Sequence, residues 1–338
     1  MAYKDYLIRR TLLNIPILIG LSILIFVITR VIPGDPVSLA LGPQATEAQV
    51  AKLRREMGLN QPLYEQYIDW FIGVFHGDWG DSLRTGNDVF TDVVSRLPAT
   101  FELVVVAVII AILLAIPLGV IAGTNKDRVE DHLSRLGALF GVSMPRFWVA
   151  ILLQLVIASQ LGLLPLIGRL SDSVQPPPPV THLYLVDSLI AGQWATFIDA
   201  FQHILLPAFA LGLATLAQVM RLIRSEVIEE QREDYVTAEK AYGLPQTLIE
   251  YKYILKNSFT SALTIIGLEF GFLIGNAFLV EIVFAWPGMA RYGVKAILFH
   301  DFNAVVGIVI VVGVAFVLAN LFVDVLYGYL DPKVTQGD

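Results

Sequence analysis

Six stretches of this chain stay apolar for about twenty residues or more, the length that crosses the hydrocarbon core of a bilayer as a helix. They cover residues 12–32, 101–122, 133–161, 204–223, 259–284 and 305–326. Lipid offers no partner to a backbone amide, so each stretch must satisfy its own hydrogen bonds, and a helix does this. Composition agrees: of 338 residues, 56% are hydrophobic and 16% charged, against roughly 25% charged in an average soluble domain. The expected fold is an all-α membrane protein with six transmembrane helices, not a water-soluble enzyme. Arg146 interrupts the third stretch, where Pro145 is positioned to kink it.

The formal charge of −7 and the lack of a basic tail leave no footprint for nucleic acid, and the absence of cysteine excludes disulfides and thiolate metal sites. Lys4, Arg9 and Arg10 before the first stretch, with Ser38 and Ala40 after it, look like a secretory signal, but the apolar run exceeds a signal core and an uncleaved anchor is favoured. The excess of Lys and Arg in alternate short loops predicts both termini on the cytoplasmic side of the cell membrane. The chain then divides into a first helix (1–32), an external loop (33–98), a core of five spans (99–332) and a short tail (333–338). Helices are expected in the external loop at 45–57, ended by Gly58, at 64–75 after Pro62, and at 87–97. A second external arm, 165–202, carries four prolines at 176–179 that forbid a helix there, and composition alone leaves arm and flexible loop equally open.

The cytoplasmic loop between the fourth and fifth spans (224–256) differs in make-up from everything around it. Seven acids and six bases crowd residues 221–256. A helix is expected over 225–242, with Gly243 as its left-handed cap and Pro245 opening the next helix. Tyr235, Ala238, Ala241 and Tyr242 recur at helical spacing as a small and aromatic stripe. Such a stripe serves equally well for docking a partner or for packing on the chain's own helix ends.

The segment from Asp234 and Tyr235 through Thr237, Ala238, Glu239 and Ala241 to Gly243 resembles the EAA loop of permeases in binding-protein-dependent ABC importers, in their dipeptide and oligopeptide branch. Thr237, Ala238 and Glu239 stand where the eponymous Glu-Ala-Ala would be. Further motifs of the branch follow in order: Pro33-Gly34-Asp35-Pro36, Ser143-Met144-Pro145 with Phe147-Trp148, Leu206-Pro207-Ala208, Gly267-Leu268, Glu281 with Trp286-Pro287-Gly288, Asn320 with Asp324, and Asp331-Pro332. The resemblance implies a type I ABC importer permease fold and a non-catalytic subunit. Its EAA-like helix would fit a cleft on an ATPase subunit. It also implies the partners: a second homologous permease, two ABC ATPases that carry ATP and magnesium, and an extracytoplasmic peptide-binding protein. No cofactor is implied in this chain. Nickel and glutathione importers use similar permeases, so dipeptide or short oligopeptide is a preference among substrates.

Ionisable groups at membrane depth are functional candidates by default. Glu269 lies within the fifth span, where such permeases usually carry glutamine; a peptide ammonium or a basic residue of a neighbouring helix could meet it, and the structural pair is preferred. Glu281 and Trp286 are gate candidates at the outer end, with a structural hydrogen bond as the favoured reading of Glu281. Gln154, Gln218 and Asn276 are candidates for the pathway, with interhelical hydrogen bonding as their default role. Asp324 with Asn320 reads as a bridge at the inner end, and Glu102 and Arg30 as groups reaching headgroups or each other. No phosphate-binding G-x-x-x-x-G-K-[ST] loop, H-E-x-x-H pair or G-x-S-x-G elbow occurs, so the chain is not expected to hydrolyse ATP, bind a catalytic metal or act as a hydrolase. An ion-coupled secondary transporter remains as an alternative class, and an intramembrane enzyme ranks last.

Overall fold

The computed structural model describes residues 3–31, 46–56, 59–299 and 301–330. The Pro33–Pro36 motif, Gly58, Asp331-Pro332 and the tail lie outside the described residues, as do the side chains of Arg30 and Asp324. Among the described residues the chain is helical without a strand. The helices are α1 (Tyr3–Val31), α2 (Glu47–Glu56), α3 (Leu63–Phe75), α4 (Val89–Thr124), α5 (Val129–Ser143), α6 (Arg146–Leu153), α7 (Tyr184–Ile190), α8 (Trp194–Glu230), α9 (Asp234–Ala241), α10 (Leu255–Val283), α11 (Met289–Leu298) and α12 (Phe302–Leu330). Single turns of π-helix extend α6 over Gln154–Gln160 and precede α10 over Ile249–Ile254.

Five helices are long and apolar enough to span a membrane: α1, α4, α8, α10 and α12. The expected third span is a pair, α5 and α6, bent by 107° at the expected Pro145 kink; taken as one broken span, it makes the sixth. Its cause is local. Pro145 has no amide to donate, and it pushes Met144 out of the helical region to φ −84°, ψ 130°. The chain turns there and restarts at Arg146.

α8 is the most buried span and forms the axis of the bundle. It runs parallel to α4 along a seam of small residues: Gly119 faces Ile223, Gly123 faces Val227, and a Cβ at Gly212 would stand 2.6 Å from the Ala107 carbonyl. Helices in lipid gain nothing from hiding apolar surface from one another, so close backbone approach and the dispersion it allows hold such a seam. α10 lies against α8 and α12, and α12 carries α1 on its other side, with Leu21 against Gly313.

The two external excursions are both fastened. α3 docks on α1 through Phe26, packed between Tyr67 and Trp70, and through a 2.9 Å hydrogen bond between Ser22 and the Tyr67 hydroxyl. The helix expected at 87–97 is no separate element: it is the first part of α4, whose N-terminus is capped by Asp88 and which passes through Pro98 without ending. The arm expected at 165–202 likewise ends inside α8, which begins at Trp194. Prolines 176–179 are non-helical, as their chemistry demands. The arm is stitched down rather than loose. Arg169 donates to Glu102 at 2.6 Å and stacks on Tyr184, Ser171 donates to Asp199, and Asp187 accepts the amides of Val180, Thr181 and His182. Glu102 also takes the Leu185 amide at 2.8 Å. The expected reach of Glu102 toward headgroups is therefore replaced by a role in holding the arm, because Arg169 brings a nearer charge.

Candidate functional site

Three places gather the residues that the sequence singles out: the hairpin between α8 and α10, a polar cluster among α6, α8 and α10, and a knot of α4, α10 and α11 at the opposite end.

At the hairpin, the helix expected over 225–242 is broken. α8 stops at Glu230, three residues turn, and α9 begins at Asp234. The turn is locked from inside: Tyr235 donates its hydroxyl to Glu230, and Asn257, at the start of α10, donates to the same carboxylate oxygen at 3.1 Å. Burial, then the bond to Glu230, pushes the Tyr235 phenol up to about 12, so it remains a neutral donor at any physiological pH. Val236 is fully buried beneath the hairpin. Gly243 takes φ +77°, and the Leu244 amide reaches back to the Glu239 carbonyl, which closes α9 with the left-handed cap expected from sequence.

The expected stripe divides between two faces. Tyr235 turns in with Val236, whereas Thr237, Ala238, Ala241, Tyr242 and Gly243 face outward, Tyr242 with 83% of its surface exposed. An eight-residue helix thus presents small side chains and one aromatic ring on a free face, while the opposite face anchors it. Two turns up α8, Arg224 grips Asp131 of α5 through Nε and Nη2, the latter at 2.8 Å, and Asp131 is fully buried. This tie joins the hairpin's parent helix to the bent pair. It was missed in the sequence because the two residues are far apart and each sits in an ordinary charged stretch.

In the polar cluster, Glu269 accepts from Thr215 at 2.9 Å and from Gln218 at 3.4 Å, and Arg146 Nη2 lies 3.8 Å from its carboxylate. The expected basic neighbour is Arg146, the residue that follows the Pro145 break. Gln218 also lines a cavity of about 370 Å³ with Arg221, Leu222, Ser225 and Ile265, which continues along α8 toward the hairpin. The other pathway candidates do not converge on it. Gln154 donates to the Leu166 and Val283 carbonyls, pinning the arm to the end of α10, and Asn276 donates to Phe272 within its own helix.

Glu281 and Trp286 form a third, structural knot at the far end. Glu281 is fully buried, accepts Thr100 Oγ1 at 2.6 Å and the Arg291 amide at 2.7 Å, and Trp286 donates its indole N–H to the Ala99 carbonyl. The knot binds α4, α10 and α11 together. Among the described residues no group of His, Asp and Glu has the arrangement of a metal site.

Comparison with known proteins gives this geometry its context. The family model for binding-protein-dependent transport system inner membrane components matches residues 115–336, and that for the N-terminal part of such components matches residues 3–104. The chain is 41% identical over 318 residues, 94% of both chains, to the probable D,D-dipeptide transport system permease protein of Escherichia coli K12. It is 40% identical to the dipeptide transport system permease protein of Alkalihalophilus pseudofirmus, covering 97% of this chain and 98% of that one. To the oligopeptide transport system permease protein of Bacillus subtilis it is 32% identical, with the same coverage. The chain therefore belongs to the family of binding-protein-dependent transport system inner-membrane components, a multi-pass membrane protein with the type I ABC importer permease fold.

Proposed function

We propose that this chain is the permease subunit of an ATP-driven importer for dipeptides or short oligopeptides, coupled to ATPase partners through α9. The observation that carries the reading is the outward face of α9: small residues and Tyr242 stand exposed on a helix whose other face is locked by Tyr235, Val236 and the Gly243 cap. A rigid, shallow helix end of this kind suits insertion into a cleft on a soluble ATPase subunit. The substrate class rests on the names of the three relatives above, each a dipeptide or oligopeptide permease matching nearly the whole chain. The chain has no phosphate-binding loop of its own, so ATP and magnesium belong to the partners.

In this reading two such hairpins, one from this chain and one from a second homologous permease, ride on the ATPase pair. Nucleotide binding draws the ATPases together, and the hairpins carry that movement into α8, and through the Arg224–Asp131 tie into α5. The bundle then alternates between inward- and outward-facing forms, a shift that requires the nucleotide to favour one form energetically. An extracytoplasmic binding protein delivers the peptide. Ala238→Arg places a long cation on the exposed face without touching the lock beneath. Nucleotide-binding subunits should no longer copurify with this variant, while the pair of permeases stays intact; full retention would overturn the docking role.

A further inference from the structure

At the end of the bundle opposite the α9 hairpin, four cations gather beside α11, two of them over one aromatic ring. Tyr292 of α11 is buried, with the Arg84 guanidinium 5.5 Å and the Arg96 guanidinium 4.6 Å from its ring centre. Arg291 and Lys295 flank it on the same helix, one turn apart. Three acids stand nearby, and of these only Asp92 is in an ion pair, with Arg96. Asp92 accepts from Thr85, Asn87 and Arg96, and Asp301 accepts from Ser82 and from the amides of Arg84 and Ala304. Glu281 takes Thr100 and the Arg291 amide.

Only Arg96 has an ion-pair partner here; among the described residues Arg84, Arg291 and Lys295 have none. Arg84 Nε is buried with no acceptor among them, and the one side-chain bond of Arg291 goes to the Ala285 carbonyl. The repulsion is felt at Lys295, whose ammonium is held below its ordinary value by Arg291 first, then by burial and by Arg84 and Arg96. Like charges half-buried together are costly unless an anion joins them.

Position indicates where the anion comes from. Arg96 stands just before the apolar stretch of α4, and α11 lies between the end of α10 and the start of α12, so the cluster is level with the membrane–water boundary. Phe90 and Val94 on α4, and Ile297 and Leu298 on α11, expose apolar surface beside it. Phosphate above apolar surface is the chemistry of a phospholipid. We propose that Arg84, Arg96, Arg291 and Lys295 bind the phosphate of an acidic phospholipid in the leaflet opposite the hairpin.

The test compares the full chain in nanodiscs of phosphatidylcholine with discs containing phosphatidylglycerol, reading thermal midpoint and lipid retained in native mass spectra. Phosphatidylglycerol should raise the midpoint and remain bound. Each of Arg84→Gln and Lys295→Gln should weaken retention about fivefold, the equivalent of ~1 kcal/mol per cation. In pure phosphatidylcholine the Lys295→Gln midpoint should hold or rise, since a repelled charge has gone; a variant that merely misfolds would fall in both lipids, and Arg291→Gln then provides the independent reading. Unchanged retention in the variants overturns the site. Equal protection of wild type by inorganic phosphate in phosphatidylcholine discs overturns the lipid as its source.

Discussion

Glu269 and Arg146 face one another across two elements at a depth where a lone charge is expensive. Their separation of 3.8 Å and partial exposure, 15% and 21% of the side chains, mark a loose pair that water still reaches. Glu269→Gln keeps one carbonyl oxygen, enough to accept from Thr215, replaces the oxygen that faces Gln218 with a donor, and strips Arg146 of its counter-charge, which should cost about 1–2 kcal/mol, discounted from the cost of breaking a fully buried pair. Adding Arg146→Met should restore most of it, and a double-mutant cycle on unfolding in detergent measures the coupling. Peptide uptake by the complete transporter should survive Glu269→Gln; its loss with stability intact would make the carboxylate a substrate contact. The same scale supplies a sharper steric case at Gly288, where a Cβ would run into the Glu281 carboxylate, itself held by Thr100 and Arg291 with nowhere to move. Gly288→Ala should therefore lower stability by about 1–3 kcal/mol, read as a fall in thermal midpoint. The depth of Glu269 was legible from its place in an apolar run, and so was its need for a partner. Which partner was not, because Arg146 reaches it only through the bend at Pro145, and bends join residues that no local spacing relates.

α9 is held by one hydrogen-bonded lock, and the turn at 180–183 of the arm by one carboxylate, that of Asp187. Tyr235→Phe removes the donor to Glu230 and leaves that carboxylate with Asn257 alone. The expected cost is about 1 kcal/mol, seen as faster amide exchange through residues 234–244 with α8 unchanged. In the arm, burial would raise the Asp187 carboxyl, but the Thr181 hydroxyl and the amides of Thr181, Val180 and His182 outweigh it and hold the group below the ordinary carboxylate range. Its stabilisation is thus full above the unfolded value of about 3.9 and is lost only as pH falls through the lower native value. The wild-type arm should resist neutral proteases and yield to pepsin only in strong acid, whereas Asp187→Asn should be nicked near 180–183 at neutral pH. Element identities were largely legible: five spans, the Gly243 cap and the non-helical proline run follow from hydropathy, φ preference and the missing amide. Boundaries were less so. Nothing in residues 225–242 announces a break, since strong helix formers fill them; the break comes from Tyr235 and Asn257 converging on Glu230. In the sequence Pro98 separates a loop helix from the second span, yet α4 runs through it, because packing against α8 and α11 supports the helix on both sides.

At the scale of the molecule, the bent pair α5–α6 leaves the bundle incomplete. Val129, Leu133, Leu136 and Leu139 of α5 each expose more than 60% of their surface, and successive spacings of three to four residues place them along one face of the helix. A cavity that runs along α8 from Gln218 toward the hairpin is walled by α8 and by Ile265 of α10, with no third helix lining it among the described residues. Under the proposed function a second permease supplies the opposite wall of this cavity, and an ATPase partner pulls on the outward face of α9. The purified chain alone in liposomes should therefore take up no dipeptide, with or without an imposed proton or sodium gradient. Uptake should appear only when the second permease, the ATPases, the binding protein and ATP are all present. Gradient-driven uptake by the chain alone would instead make it a self-sufficient ion-coupled transporter, and Glu269, the span carboxylate nearest the cavity through its bond to Gln218, would then be the first residue to examine as its coupling group.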